Sequence, residues 1–91
     1  MFNLPFTENK VNDNVVIREF QEGIDSDEMK WHWDREDRIV KVLEDTDWQF
    51  QMDNQLPIQM KKDVEIFIPK GSWHRVIKKY GNLVVKITKL Y

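Results

Sequence analysis

Cysteine is absent from the 91 residues, so disulfides and thiolate metal ligands are excluded, and His and carboxylate remain as the strong ligand types. The same absence leaves the redox compartment open. Glycine and proline stand at three each, and no internal repeat or low-complexity tract interrupts the chain. An excess of charge is also missing: 14 Lys and Arg face 16 Asp and Glu, a net charge of −2. That balance gives no electrostatic footprint for nucleic acid, which is excluded as an expected partner. No apolar run approaches membrane-spanning length, and nothing near Met1 reads as a positive segment followed by an apolar stretch. The expectation is a soluble, cytoplasmic protein with no membrane partner.

What is present points to a folded core. Apolar residues make up 41%, with four Trp, five Phe and two Tyr, even though 33% of the chain is charged. A chain of this length holds one core, so residues 1–91 are read as a single domain. A core this small gains from shared apolar surface, which favours a homodimer.

Turn-rich stretches cut the sequence into short alternating, β-branched or aromatic pieces, the signature of an all-β fold. Strand candidates are residues 15–20 (VVIREF), 29–34, 38–43, 48–52, 56–60, 64–68, 73–77 and 83–90, joined by breaks such as EDTD, PKG and YGN. About eight strands with short connections suit a jelly roll or small barrel. Residues 1–12 lack strong periodicity and are read as an N-terminal arm. Helix competes over residues 20–29, where Gly23 and the lack of apolar spacing argue against it.

Chemistry concentrates in two places. In Trp31-His32-Trp33-Asp34 the period of two puts His32 and Asp34 on one face and the tryptophans on the other. An imidazole and a carboxylate so placed can converge on one ion, although a solvated strand end has the same pattern. The second place is Ile66-Phe67-Ile68-Pro69-Lys70-Gly71-Ser72-Trp73-His74-Arg75-Val76, a strand, a Pro-Gly turn and a strand opening near a histidine.

These two segments resemble the paired motifs of the cupin family. Pro69, Gly71 and His74 follow the second motif, Pro-x-Gly-x-x-His, which carries the last metal-binding histidine. His32 falls on the first histidine of the first motif, His-x-His followed after three residues by Glu. Asp34 falls on its second histidine and Arg38 on its glutamate. The resemblance covers about residues 29–87 and implies a cupin-like jelly-roll barrel. It departs from the family's ligand set at Asp34 and at Arg38, since an arginine stays protonated and cannot ligate a metal.

The set that remains, His32, Asp34 and His74, is the two-His-one-carboxylate combination associated with non-haem Fe(II) and open coordination positions. A divalent ion is therefore expected, Fe2+ first, with Mn, Ni or Zn as alternatives. Oxygenases dependent on 2-oxoglutarate share a His-x-Asp…His arrangement, but this chain is much shorter and has no Arg after Arg75 for a cosubstrate carboxylate. Arg38 carries two readings: an anchor for the carboxylate or phosphate of a small polar or anionic ligand, or a partner of Asp34, Glu36 or Asp37 in a salt-bridged, metal-free barrel mouth. Glu36 or Asp37 supplies a further ligand if the turn bends inward. Gln49 and Gln51 alternate with Trp48 and Phe50, and offer hydrogen bonds to a ligand if they face inward. Most of the tryptophans are expected in the core or a subunit interface. No nucleophile constellation stands out, so catalytic residues are left unassigned and enzyme status is open. The functional expectation is a metal-binding, dioxygenase-like cupin. The alternatives are a metal-free binding or assembly module and, with no Tyr beside either histidine, a metal-independent sugar-nucleotide epimerase of similar barrel.

Overall fold

The computed structural model describes residues 6–91. Among the described residues eight strands follow one another: β1 Phe6–Lys10, β2 Val15–Phe20, β3 Asp37–Val42, β4 Gln49–Met52, β5 Ile58–Gln59, β6 Glu65–Ile68, β7 His74–Ile77 and β8 Leu83–Leu90. They pair antiparallel into a five-stranded sheet of order β1-β2-β8-β3-β6 and a three-stranded sheet of order β5-β4-β7. Among the described residues no helix is long and apolar enough to cross a membrane.

Strand periodicity decides what goes inside. On β8, Leu83, Val85 and Ile87 are buried, and on β6 Ile66 and Ile68 are buried while Phe67 between them is exposed. Val40 and Val42 of β3 and Val16 and Phe20 of β2 extend this inner face. Trp48, Phe50 and Met60 close the core from around the smaller sheet.

Two sequence expectations are corrected here. Residues 6–10 are no free arm: the polar run Phe6–Lys10 pairs along its length with β2, from Phe6 opposite Phe20 to Lys10 opposite Val16. Backbone pairing needs no apolar pattern, and the Phe6 ring packs on Phe20 at 5.2 Å between centroids. Residues 1–5 of the expected arm lie outside the described residues. The strand expected over residues 29–34 is instead a 3-10 turn, Asp27–Met29, followed by extended chain that pairs only at His32. Ser26 caps that turn, its hydroxyl accepting from Glu28 N, and local capping of this kind competes with a sheet ladder.

The turn before β7 matters for the site. Ser72 N donates to Pro69 O at 3.2 Å, and Gly71 holds φ +78, as the third position of a type II turn requires. Gly71 N also donates to Asp34 O at 2.9 Å, tying this turn to the segment that carries Asp34. A Cβ at Gly71 meets no atom within 4 Å, so Gly71→Ala tests backbone strain alone. The expected loss is about 1 kcal/mol in urea unfolding. A loss near zero would mean that the turn relaxes away from this geometry.

Candidate metal centre

His32 and His74 come together through backbone. Each N–H donates to the other's carbonyl, at 3.0 Å from His32 and 2.9 Å from His74, and the rings sit with centroids 4.3 Å apart. The antiparallel bridge thus presents one imidazole from the extended segment and one from the start of β7. Asp34, two residues after His32, turns to the same side and is 8% exposed, while Trp31 and Trp33 turn outward. Ligand atoms from His32, Asp34 and His74 all lie within 4.8 Å of one another. Ligands on one tetrahedral ion with bonds of about 2.1 Å are separated by roughly 3.4 Å, so side-chain movements of about an ångström close the set.

The protons on the two rings are fixed by their surroundings. His32 Nδ1–H donates to Lys30 O and His74 Nδ1–H to Ser72 O, both at 2.8 Å, since a carbonyl oxygen can only accept. In each neutral ring the lone pair is therefore on Nε2. His74 Nε2 lies 3.2 Å from Asp34 Oδ2, an oxygen that is buried and has no hydrogen-bond partner. A lone pair facing a buried carboxylate oxygen needs positive charge between them, either a proton or a metal ion. Burial pushes the Asp34 carboxyl up, yet His74, Arg38 and His32 outweigh it and hold the group below its ordinary value. Asp34 is thus ionised at neutral pH, as a ligand must be.

Arg38 stands on the inner face of β3, in phase with buried Val40 and Val42. Its Nε and Nη2 engage Glu36 Oε1 at 3.0 and 2.9 Å, and its Nη1 lies 3.4 Å from Asp34 Oδ1. It both lines the cavity and pairs with acidic neighbours, so geometric elements of both sequence readings are present together. Asp37 Oδ1 instead accepts from Lys70 N at 2.8 Å and stays out of the histidine cluster.

The glutamines are placed otherwise than the ligand reading requires. Trp48 and Phe50 are buried, so alternation sends Gln49 and Gln51 to the outer face of β4. There Gln51 accepts from Arg75 Nε at 2.9 Å, across the Gln51–Arg75 register pair. Trp48 is the tryptophan that reaches the core; Trp31, Trp33 and Trp73 are exposed, with the Arg75 guanidinium 4.7 Å from the Trp31 ring centroid.

A cavity of about 50 Å³ opens on this cluster, lined by His32, Asp34, Arg38, His74, Arg18 and Glu28 and otherwise by apolar side chains. Arg18 and Glu28 are additions that the sequence reading missed. Arg18 sits between Val16 and Phe20 on β2, so the alternation of VVIREF already turns it inward. It is held by Glu8 Oε1 at 2.6 Å and Glu28 Oε1 at 3.3 Å, with its guanidinium over the Phe6 ring.

No protein-family model and no curated protein matches the chain. Solved structures do. A cupin domain from Bordetella pertussis is 22% identical with a TM-score of 0.64, over 94% of this chain and 92% of that one. A cupin-2 domain protein from Shewanella frigidimarina is 20% identical with a TM-score of 0.64, over 98% and 85%. The DMSP lyase DddQ from Ruegeria pomeroyi is 14% identical with a TM-score of 0.67, over 88% of this chain and 40% of that enzyme, so the chain spans well under half of the lyase. Likeness at this level of identity concerns fold, and the fold it establishes is the cupin barrel.

Proposed function

We propose that the protein binds one divalent transition-metal ion through Nε2 of His32, Nε2 of His74 and the Asp34 carboxylate, and admits a small polar or anionic molecule to the positions left open. One observation carries this reading: buried Asp34 Oδ2, without a hydrogen-bond partner, faces the Nε2 of an imidazole whose other nitrogen is tied to a backbone carbonyl. Metal-binding histidines are characteristically oriented through the second ring nitrogen, and here both are. The donor set favours iron(II), with manganese, nickel and zinc as alternatives. When bound, such an ion supplies Lewis acidity, and as iron(II) it opens O2 chemistry of the dioxygenase kind. The chain's own part is to keep Asp34 ionised, to hold both imidazoles in one tautomer, and to line the remaining space with apolar walls.

A second reading has its own support. The contacts of Arg38 with Asp34 and Glu36 supply positive charge to the site without a metal, as a non-catalytic binding module requires. Metal content separates the two. Protein purified after supplementation with Fe, Mn, Ni and Zn is expected to hold about one equivalent, and the His32→Ala/His74→Ala double variant to hold none. A wild type that stays metal-free under each condition would leave the Arg38-paired module standing.

A further inference from the structure

A chain with a carboxylate at position 38 would offer a divalent ion two anionic ligands and a neutral charge balance. Here the position holds Arg38 instead, and three consequences follow. The ion lacks one ligand. Asp34 is the carboxylate that faces the ion, because Glu36 is engaged by Arg38 and Glu28 by Arg18. And the hydrogen bonds of Arg38 run to Glu36 through the Nε edge, while the Nη1 contact with Asp34, at 3.4 Å, is an ion pair without hydrogen-bond geometry. The outer end of the guanidinium keeps N–H groups to donate, on a side chain 18% exposed at the cavity wall.

We propose that a small exogenous monocarboxylate fills the place of the missing ligand, one oxygen on the metal and the other on the free end of Arg38. The cavity sets the rest of its chemistry. It is small, about 50 Å³, and Phe20, Phe50, Met60 and Val85 make the remaining walls apolar. The other cation in reach, Arg18, is already paired with two carboxylates, Glu8 and Glu28, so a second carboxylate on the ligand would meet negative charge there. The ligand class is thus a short aliphatic monocarboxylate rather than a dicarboxylate, a sugar or a phosphate ester. This proposal rests on the metal reading above, and sharpens Arg38 from a generic anion contact to a residue that recognises one carboxylate group.

The test uses the full chain loaded with Co2+, whose d–d absorption reports both uptake of the ion and entry of a ligand. Acetate and propionate are expected to perturb the spectrum saturably, while acetamide and malonate bind at least about tenfold more weakly. Arg38→Gln is expected to bind Co2+ at least as well as wild type yet lose about tenfold or more in acetate affinity, and Arg38→Lys, which keeps the charge but not the fork, to fall between. Equal acetate affinity in wild type and Arg38→Gln, both holding Co2+, would overturn the carboxylate proposal and leave the metal centre intact. Absence of Co2+ uptake by wild type would bring down both. If Arg38→Gln fails to fold, the acetate and acetamide titrations of wild type decide alone: equal binding of the two counts against recognition of the charge.

Discussion

Replacing Trp48 by alanine is expected to cost about 3–5 kcal/mol. The side chain is fully buried, packs against Phe20 at 6.2 Å between ring centroids, and donates its indole N–H to Gly81 O at 3.0 Å. Truncation therefore leaves a cavity and, in addition, removes the hydrogen bond to Gly81 O. The Trp48 backbone is a junction as well: its carbonyl accepts from Met60 N at 3.0 Å and from Gln59 Nε2 at 3.1 Å, which attaches the segment around β5 to β4. A domain of this size has roughly 5–15 kcal/mol in total, so the variant sits near its unfolding threshold. Thermal melts should show a fall of at least about 12 °C, from roughly 4–8 °C per kcal/mol. Trp48→Phe, which keeps most of the volume, should lose clearly less. A fall of only a few degrees in Trp48→Ala would show that the core collapses around the gap.

The fold was legible where apolar alternation is strong and less so where backbone pairing or capping decides. β2, β3, β6 and β8 announce themselves, because Val16 and Phe20, Val40 and Val42, Ile66 and Ile68, and Leu83, Val85 and Ile87 fall at a period of two and turn to one interior. β1 carried no such signal: Thr7, Glu8, Asn9 and Lys10 are exposed, and the strand exists because β2 offers an edge. Residues 29–34 carried a false one. Their alternation separates His32 and Asp34 from Trp31 and Trp33 as a strand would, yet the segment enters from a capped turn and meets β7 by a single bridge.

At the site, the residue types and the Pro-x-Gly-x-x-His spacing brought out His32, Asp34 and His74, which the fold gathers within 4.8 Å. The tautomers were beyond reach, since they depend on which carbonyl each Nδ1 meets. Arg18 was within reach. Its place between Val16 and Phe20 forces an inward charge, and an inward arginine in a small barrel demands partners. The direction of Gln49 and Gln51 was undecidable from alternation alone, because either set of side chains satisfies period two until the packing of Trp48 and Phe50 is seen.

Arg38→Glu is expected to make the fold depend on metal. In the ion-free wild type, Arg38 is the cation nearest Asp34 Oδ1, at 3.4 Å, and it also holds Glu36. Removing a partner from a buried ion pair costs about 3–5 kcal/mol, and a third carboxylate beside Asp34 and Glu36 adds repulsion. The ion-free variant should therefore melt well below wild type. With a divalent ion the sign reverses: a cation once repelled by the guanidinium is now attracted by a carboxylate in the position that matches the cupin motif. At an effective dielectric of about 20, one unit charge at 4 Å is worth roughly 4 kcal/mol, so a gain of about 100-fold or more in metal affinity is a conservative expectation. Saturating metal should then restore stability, by about 4 kcal/mol at a thousandfold excess over Kd. The same change should abolish acetate binding, because the new side chain fills the coordination position and repels the anion. Melting curves with and without ion, together with competition against a chromophoric chelator, measure each arm. A variant whose metal affinity fails to rise would show that position 38 does not address the ion, and Arg38 would then be a structural partner of Glu36 and Asp34 alone.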